Sequence, residues 1–159
     1  MTTQTGSTYA ALLQESFDRL LALYTELSPQ EVERAELGDG WTPKTLLAHV
    51  GFWDDFQTQR MEEAVKGVSA MRGVMWPEED NDARIAADSV RSWPEVAAQA
   101  TAARRRMIAF AAALDDDALT RAYPEGKRML SLSTLLTHMV RHTEEHAALL
   151  RAYGADRAE

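Results

Sequence analysis

The strongest constraint on this chain is the step at which its apolar residues recur. Over residues 7–27, Tyr9, Leu12, Leu13, Phe17, Leu20, Leu21, Tyr24 and Leu27 fall three and four positions apart. That spacing lines one face of an α-helix. The same period returns after Thr42, where Leu46, Val50, Trp53 and Met61 form an inward stripe. It returns again in "SWPEVAAQATAARRRMIAFAAAL" (residues 92–114) and from about Ser133 to Tyr153. Four long amphipathic helices with no convincing strand predict an all-α fold, and the arrangement that buries four such faces is a four-helix bundle.

Local signals set the boundaries. Ser28 and Pro29 should stop the first helix and start a short turn, and Gly38, Asp39 and Gly40 mark a loop. Thr42 reads as an N-cap, Pro43 as the first helical residue, and Gly67 ends that helix near residue 66. A short helix is expected over roughly 81–91, with Ser92 capping the next long one. "DDDALTRAYPEGKR" reads as a connection with one helical turn, and Gly154 should stop the last helix. The loop at 67–79 is long and carries Met71, Met75 and Trp76, expected to pack on the bundle as a crossover.

Composition narrows the function classes. At 159 residues the chain suits one domain, and 45% apolar with 26% charged residues is globular rather than disordered. "MIAFAAAL" at 107–114 is too short to span a bilayer, so no membrane partner is expected. The first residues lack a basic segment followed by an apolar core, so the cytoplasm is the expected location. A net charge of −8 argues against nucleic acid as a partner. The one basic cluster, Arg104, Arg105 and Arg106, reads as a solvated helix face. There is no cysteine. Disulfides, thiolate metal ligands and a protein thiol nucleophile are therefore excluded, and any thiol chemistry must use an external thiol.

The four histidines carry the most specific signal. His138, His142 and His146 stand at four-residue steps in "TLLTHMVRHTEEHAALL", and His49 stands alone in "TPKTLLAHVGFW". With Met139 as zero, His146 lies at about −20°, His142 at about −60° and His138 at about −100° around the last helix. His49 lies about 60° from Leu46, within reach of its own helix's inward face. A single inward histidine reads as a neutral core side chain bonded to a neighbour. Three buried imidazoles together would each need a partner, whereas one divalent ion satisfies a nitrogen on each. Two at i and i+4 with a third from a facing helix suit a metal site with open positions. The expected ligands are His49, His142 and His146, with His138 at the rim behind them. Imidazole ligands suit Zn, Ni, Fe or Cu alike.

Two stretches resemble a known family. "GDGWTPKTLLAHVGFWDDFQ" is similar to the second-helix signature of the DinB-like superfamily, and "GKRMLSLSTLLTHMVRHTEEHAALL" to its last-helix signature. The resemblance implies one DinB-like domain over residues 1–159, a four-helix bundle with one long crossover and one or two short extra helices. It implies a divalent metal, Zn or Ni most often, on His49, His142 and His146, and it implies a homodimer. Relatives include transferases and isomerases that use low-molecular-weight thiols. The tail after the last histidine, "HAALLRAYG", departs from the basic, Gly-Gln-containing tail of many members.

The expected function is a metal-dependent transferase that activates a low-molecular-weight thiol toward an electrophilic small molecule, in detoxification or stress. Glu144, Glu145, Asp54 and Asp55 are the carboxylates near the ligands in sequence, candidates to orient an imidazole or move a proton. Two alternatives come from other classes. "HTEEH" at 142–146 fits H-x-x-E-H, which would make Glu145 the base of a metal-assisted small-molecule hydrolase. A non-catalytic protein binding a small ligand would use the metal as an anchor.

Overall fold

The computed structural model describes residues 4–67, 78–125 and 127–158. In chain order these form α1 (Gly6–Tyr24), α2 (Pro29–Arg34), α3 (Pro43–Lys66), α4 (Glu78–Ser89), α5 (Trp93–Ala112), α6 (Asp116–Thr120), β1 (Ala122–Glu125), β2 (Arg128–Ser131) and α7 (Leu132–Ala158). The fold is all-α, with α1, α3, α5 and α7 as its long helices.

The starts follow from side chains that satisfy the free N–H groups of a first turn. Ser28 and Glu31 form a capping box ahead of Pro29, Thr42 caps α3 ahead of Pro43, and Ser92 and Glu95 box the start of α5. Each such cap stabilises its helix by about 1 kcal/mol. Gly67 ends α3 with φ +67°, a conformation that glycine adopts without strain.

Three expectations about the elements need correction. The turn after Ser28 is a six-residue helix, α2. The connection before α7 holds α6 and also an antiparallel hairpin, in which Tyr123 pairs with Leu130 and Pro124 with Met129. Gly154 does not end α7, which continues to Ala158. The expected packing of Met71, Met75 and Trp76 lies outside the described residues.

Around the bundle α3 packs on α5, α5 on α1, α1 on α7 and α7 on α3. Two apolar clusters fill it. One holds Leu13, Met61, Met107 and Met139, and the other Phe17, Leu46, Val50, Val96 and Leu150. Read along each helix, α1 and α7 pass from the first cluster to the second, and α3 and α5 from the second to the first. Neighbours α3 and α5 thus run the same way, so the chain between them must return along the bundle. That return is the long crossover, and α4 lies on it. Its C-terminal end is tied to the start of α3 by the buried Lys44 ammonium, which donates to the carbonyls of Ser89 (2.9 Å) and Arg91 (2.8 Å). The helices α3 and α5 approach closely at Gly51, where a Cβ would lie 2.7 Å from the Ala100 Cα.

Between the two apolar clusters lies a polar layer built on Arg104. It is 1% exposed, so it is not part of the solvated face expected of the basic cluster, and Asp54 is fully buried beside it. The guanidinium grips Asp54 with two bonds, Nε to Oδ2 at 2.7 Å and Nη2 to Oδ1 at 3.0 Å. Nη1 donates to the Leu13 carbonyl (3.1 Å) and Nη2 to Thr143 Oγ1 (2.6 Å). One side chain thereby bonds all three other long helices. Burial pushes the Asp54 carboxyl up to about 6, and the Arg104 charge pulls against it. Arg105 and Arg106 do face outward, with Arg106 paired to Asp55 and Glu62.

Candidate metal centre

α3 carries His49 two turns beyond its cap, and α7 carries His142 and His146 one turn apart. The antiparallel contact of the two helices brings the three together. His142 Nε2 lies 3.1 Å from His49 Nε2 and 2.9 Å from His146 Nε2. One nitrogen from each sits within 4.8 Å of the others, a group that could hold a metal ion. His49 is 7% exposed and the other two are half-buried.

These nitrogens fit a cation better than they fit one another. An imidazole Nε2 carries either one proton or one lone pair. His142 Nε2 faces two others with only one of these to offer. A cation instead accepts all three lone pairs. Two nitrogens each about 2.1 Å from one ion lie about 3.0 Å apart at a right angle and about 3.4 Å apart at a tetrahedral angle. The observed separations sit at the right-angle end of that range. Burial, followed by the neighbouring His146, lowers the His49 pKa to about 3, and burial together with His146 and His49 lowers His142 to about 2. Burial lowers His146 as well, against the nearby Glu145 charge. All three imidazoles are therefore neutral at pH 7, the form that donates a lone pair.

Aromatic rings hold the histidines in place. The loop turn at Gly38, Asp39 and Gly40 has positive φ at all three residues, and it closes with a bond from Leu37 N–H to the Trp41 carbonyl (2.9 Å). This sets Trp41 edge-on to His49 at 4.8 Å between centroids and 6.4 Å from His146. Trp53, one turn further along α3, also stands edge-on to His49 at 6.2 Å. The Nδ1 atoms of all three histidines are buried and have no hydrogen-bond partner among the described residues.

The remaining candidates lie apart from this group. His138 is exposed, its ring 6.1 Å from that of His142. Glu144 bonds Arg19 (2.9 Å) and Arg151 (3.1 Å), Asp54 bonds Arg104, and Asp55 bonds Arg106. Glu145 is exposed, 3.8 Å from Arg141. Sequence reasoning overlooked Arg104 and Thr143. Arg104 is in phase with Ala100, Met107 and Ala111, and that register was the available signal.

No functionally curated protein matches the sequence. Among solved structures, a mycothiol-dependent maleylpyruvate isomerase superposes with a TM-score of 0.75 at 19% identity, over 94% of this chain and 63% of its own. The chain thus spans less than two thirds of that enzyme. A Streptococcus pneumoniae protein gives 0.78 at 12% identity over 98% of this chain and 93% of its own. An uncharacterized Clostridium difficile 630 protein gives 0.79 at 12% over 98% of each. These likenesses establish the fold. The sequence itself matches the DinB superfamily over residues 12–150, and the chain belongs to that superfamily.

Proposed function

We propose that the protein is a metal-dependent transferase that brings a low-molecular-weight thiol to an electrophilic small molecule. The observation that carries this reading is the convergence of three neutral, inward histidine nitrogens, with no carboxylate in the group among the described residues. His49, His142 and His146 would hold the ion, Zn or Ni. A divalent ion so held supplies Lewis acidity, lowering the pKa of a bound thiol so that its thiolate forms at neutral pH. Trp41 and Trp53 shield the His49 ring and keep it aimed at its partners. The chain has no cysteine, so the sulfur must come from outside. The isomerase of similar fold is mycothiol-dependent, which supports an external thiol here. The placement of Glu145, facing solvent beside Arg141, lends no support to a hydrolytic base.

The first test is elemental analysis of wild-type protein and His142→Ala, both purified without a metal-binding tag. The expected result is about one equivalent of Zn or Ni in the wild type and far less in the variant. Metal-free wild type that takes up neither ion would overturn the site. Metal-loaded protein that consumes no electrophile with mycothiol, bacillithiol or glutathione would overturn the transferase while leaving the site.

A further inference from the structure

The metal ligands lie on α3 and α7, and these two helices share a smaller contact than α3 with α5 or α1 with α7. No hydrogen bond reaches the outer nitrogen of any of the three rings from the described residues. The carboxylates close to them in sequence are engaged with arginines. Ring positions are therefore set by the placement of the helices and by the packing of Trp41 and Trp53. A polar bridge spans the same two helices in the layer next to the histidines. Asp54 of α3 holds both Nε and Nη2 of Arg104, and Nη2 also donates to Thr143 Oγ1 of α7 at 2.6 Å. Thr143 follows His142 directly. Asp54 stands five residues beyond His49, roughly 7.5 Å along the helix. Thr143 Oγ1 also donates to the Met139 carbonyl at 3.0 Å, so its hydroxyl is fixed at both ends.

We propose that the buried Asp54–Arg104–Thr143 bridge positions the metal site: it fixes how α7 is turned and how far it stands from α3, and so sets the spacing of the three ligand nitrogens. The inference rests on the metal reading above. Arg104 and Thr143 touch no ligand nitrogen and act through the helices that carry His49 and His142. Planar guanidinium geometry suits this role. It grips a carboxylate in a fixed plane and offers a further N–H in a set direction, which a flexible ammonium does not.

Thr143→Val gives the sharpest test, because it removes the hydroxyl at nearly constant shape and leaves every charge in place. Thr143→Ser keeps the hydroxyl. Leu119→Ala serves as a stability control: Leu119 of α6 is 1% exposed in the apolar cluster that holds Leu13 and Met107, and it belongs to neither bridge nor site. Zn2+ affinity is read by competition with a chromogenic chelator, and site geometry by the visible absorption of bound Co2+. Thr143→Val should weaken Zn2+ binding about tenfold or more and shift the Co2+ bands, and Thr143→Ser should stay within about twofold of wild type. Leu119→Ala should bind both ions as wild type does despite a lower melting temperature. Wild-type affinity and spectrum in Thr143→Val would make the bridge structural alone and overturn the inference with the metal site intact. An equal loss in Leu119→Ala would overturn it too, since affinity would then follow global stability. Wild type that binds neither ion would remove the metal reading, and this inference with it.

Discussion

A guanidinium and a carboxylate buried against each other both lose hydration worth several kcal/mol, and the pair is tolerated only if the remaining donors and acceptors are met. Around Arg104 they are met by Asp54, the Leu13 carbonyl and Thr143. Asp54→Asn would leave the buried charge facing a neutral amide with one accepting oxygen. It should destabilise the protein by about 3–5 kcal/mol in urea denaturation. The double change Asp54→Leu with Arg104→Met removes both charges, and it should unfold at a urea concentration closer to wild type than Asp54→Asn. A wild-type midpoint for Asp54→Asn would show that the pair contributes little. These residues also mark where a sequence misleads. Three consecutive arginines read as a basic surface, and only angular phase separates Arg104 from Arg105 and Arg106. The same phase argument turned His49, His142 and His146 inward, where the structure brings them together, because an inward imidazole breaks no expectation about charge.

At the level of elements, helix starts were legible and helix ends less so. Thr42 with Pro43 and Ser92 with Glu95 act through bonds within one turn, so nearby sequence contains the whole cause. The end of α7 depends on a distant partner. A mid-helix glycine costs only about 1 kcal/mol, and α2 offsets it. Glu31 Oε1 accepts from the Tyr153 hydroxyl at 3.1 Å and from Arg157 at 2.5 Å, on either side of Gly154. The hairpin was hidden for a related reason, since its strands are four residues each and one contains Pro124. Glu31 makes the docking sensitive to acid. The Ser28 backbone N–H, then Arg157, hold its carboxyl down to about 2. The folded pKa is below the unfolded one, so this contribution is present above about pH 4.5 and is lost as pH falls toward about 2. Glu31→Gln should melt below wild type at pH 7, and the gap should close over that acid range. A gap that stays constant with pH would mean that ionised Glu31 is not what fastens α7 to α2.

For the whole molecule, bundle and crossover follow from where the apolar faces lie, which is why the period of four long segments was enough to predict the class. Both apolar clusters join α3 to α7, and a metal held at the site would add a direct link between the two helices. His49 enters from α3 and His142 and His146 from α7, two helices far apart in sequence that meet over a limited area. An ion bound by all three cross-links them in the folded state only. In the unfolded chain His142 and His146 remain near neighbours, while His49 is 93 residues from His142. Binding to the folded state alone stabilises it by about 2.7 kcal/mol when free ion is 100-fold above Kd. For a chain of this size that is a rise of about 5–11 °C in melting temperature. Any residual binding to the His142 and His146 pair when unfolded reduces the rise. Calorimetry of metal-free protein with and without Zn2+ should show this increase in wild type. His49→Ala should lose most of it while keeping both histidines of α7. An equal rise in His49→Ala would mean that the α7 pair binds the ion without α3, and that no cross-link between the helices forms.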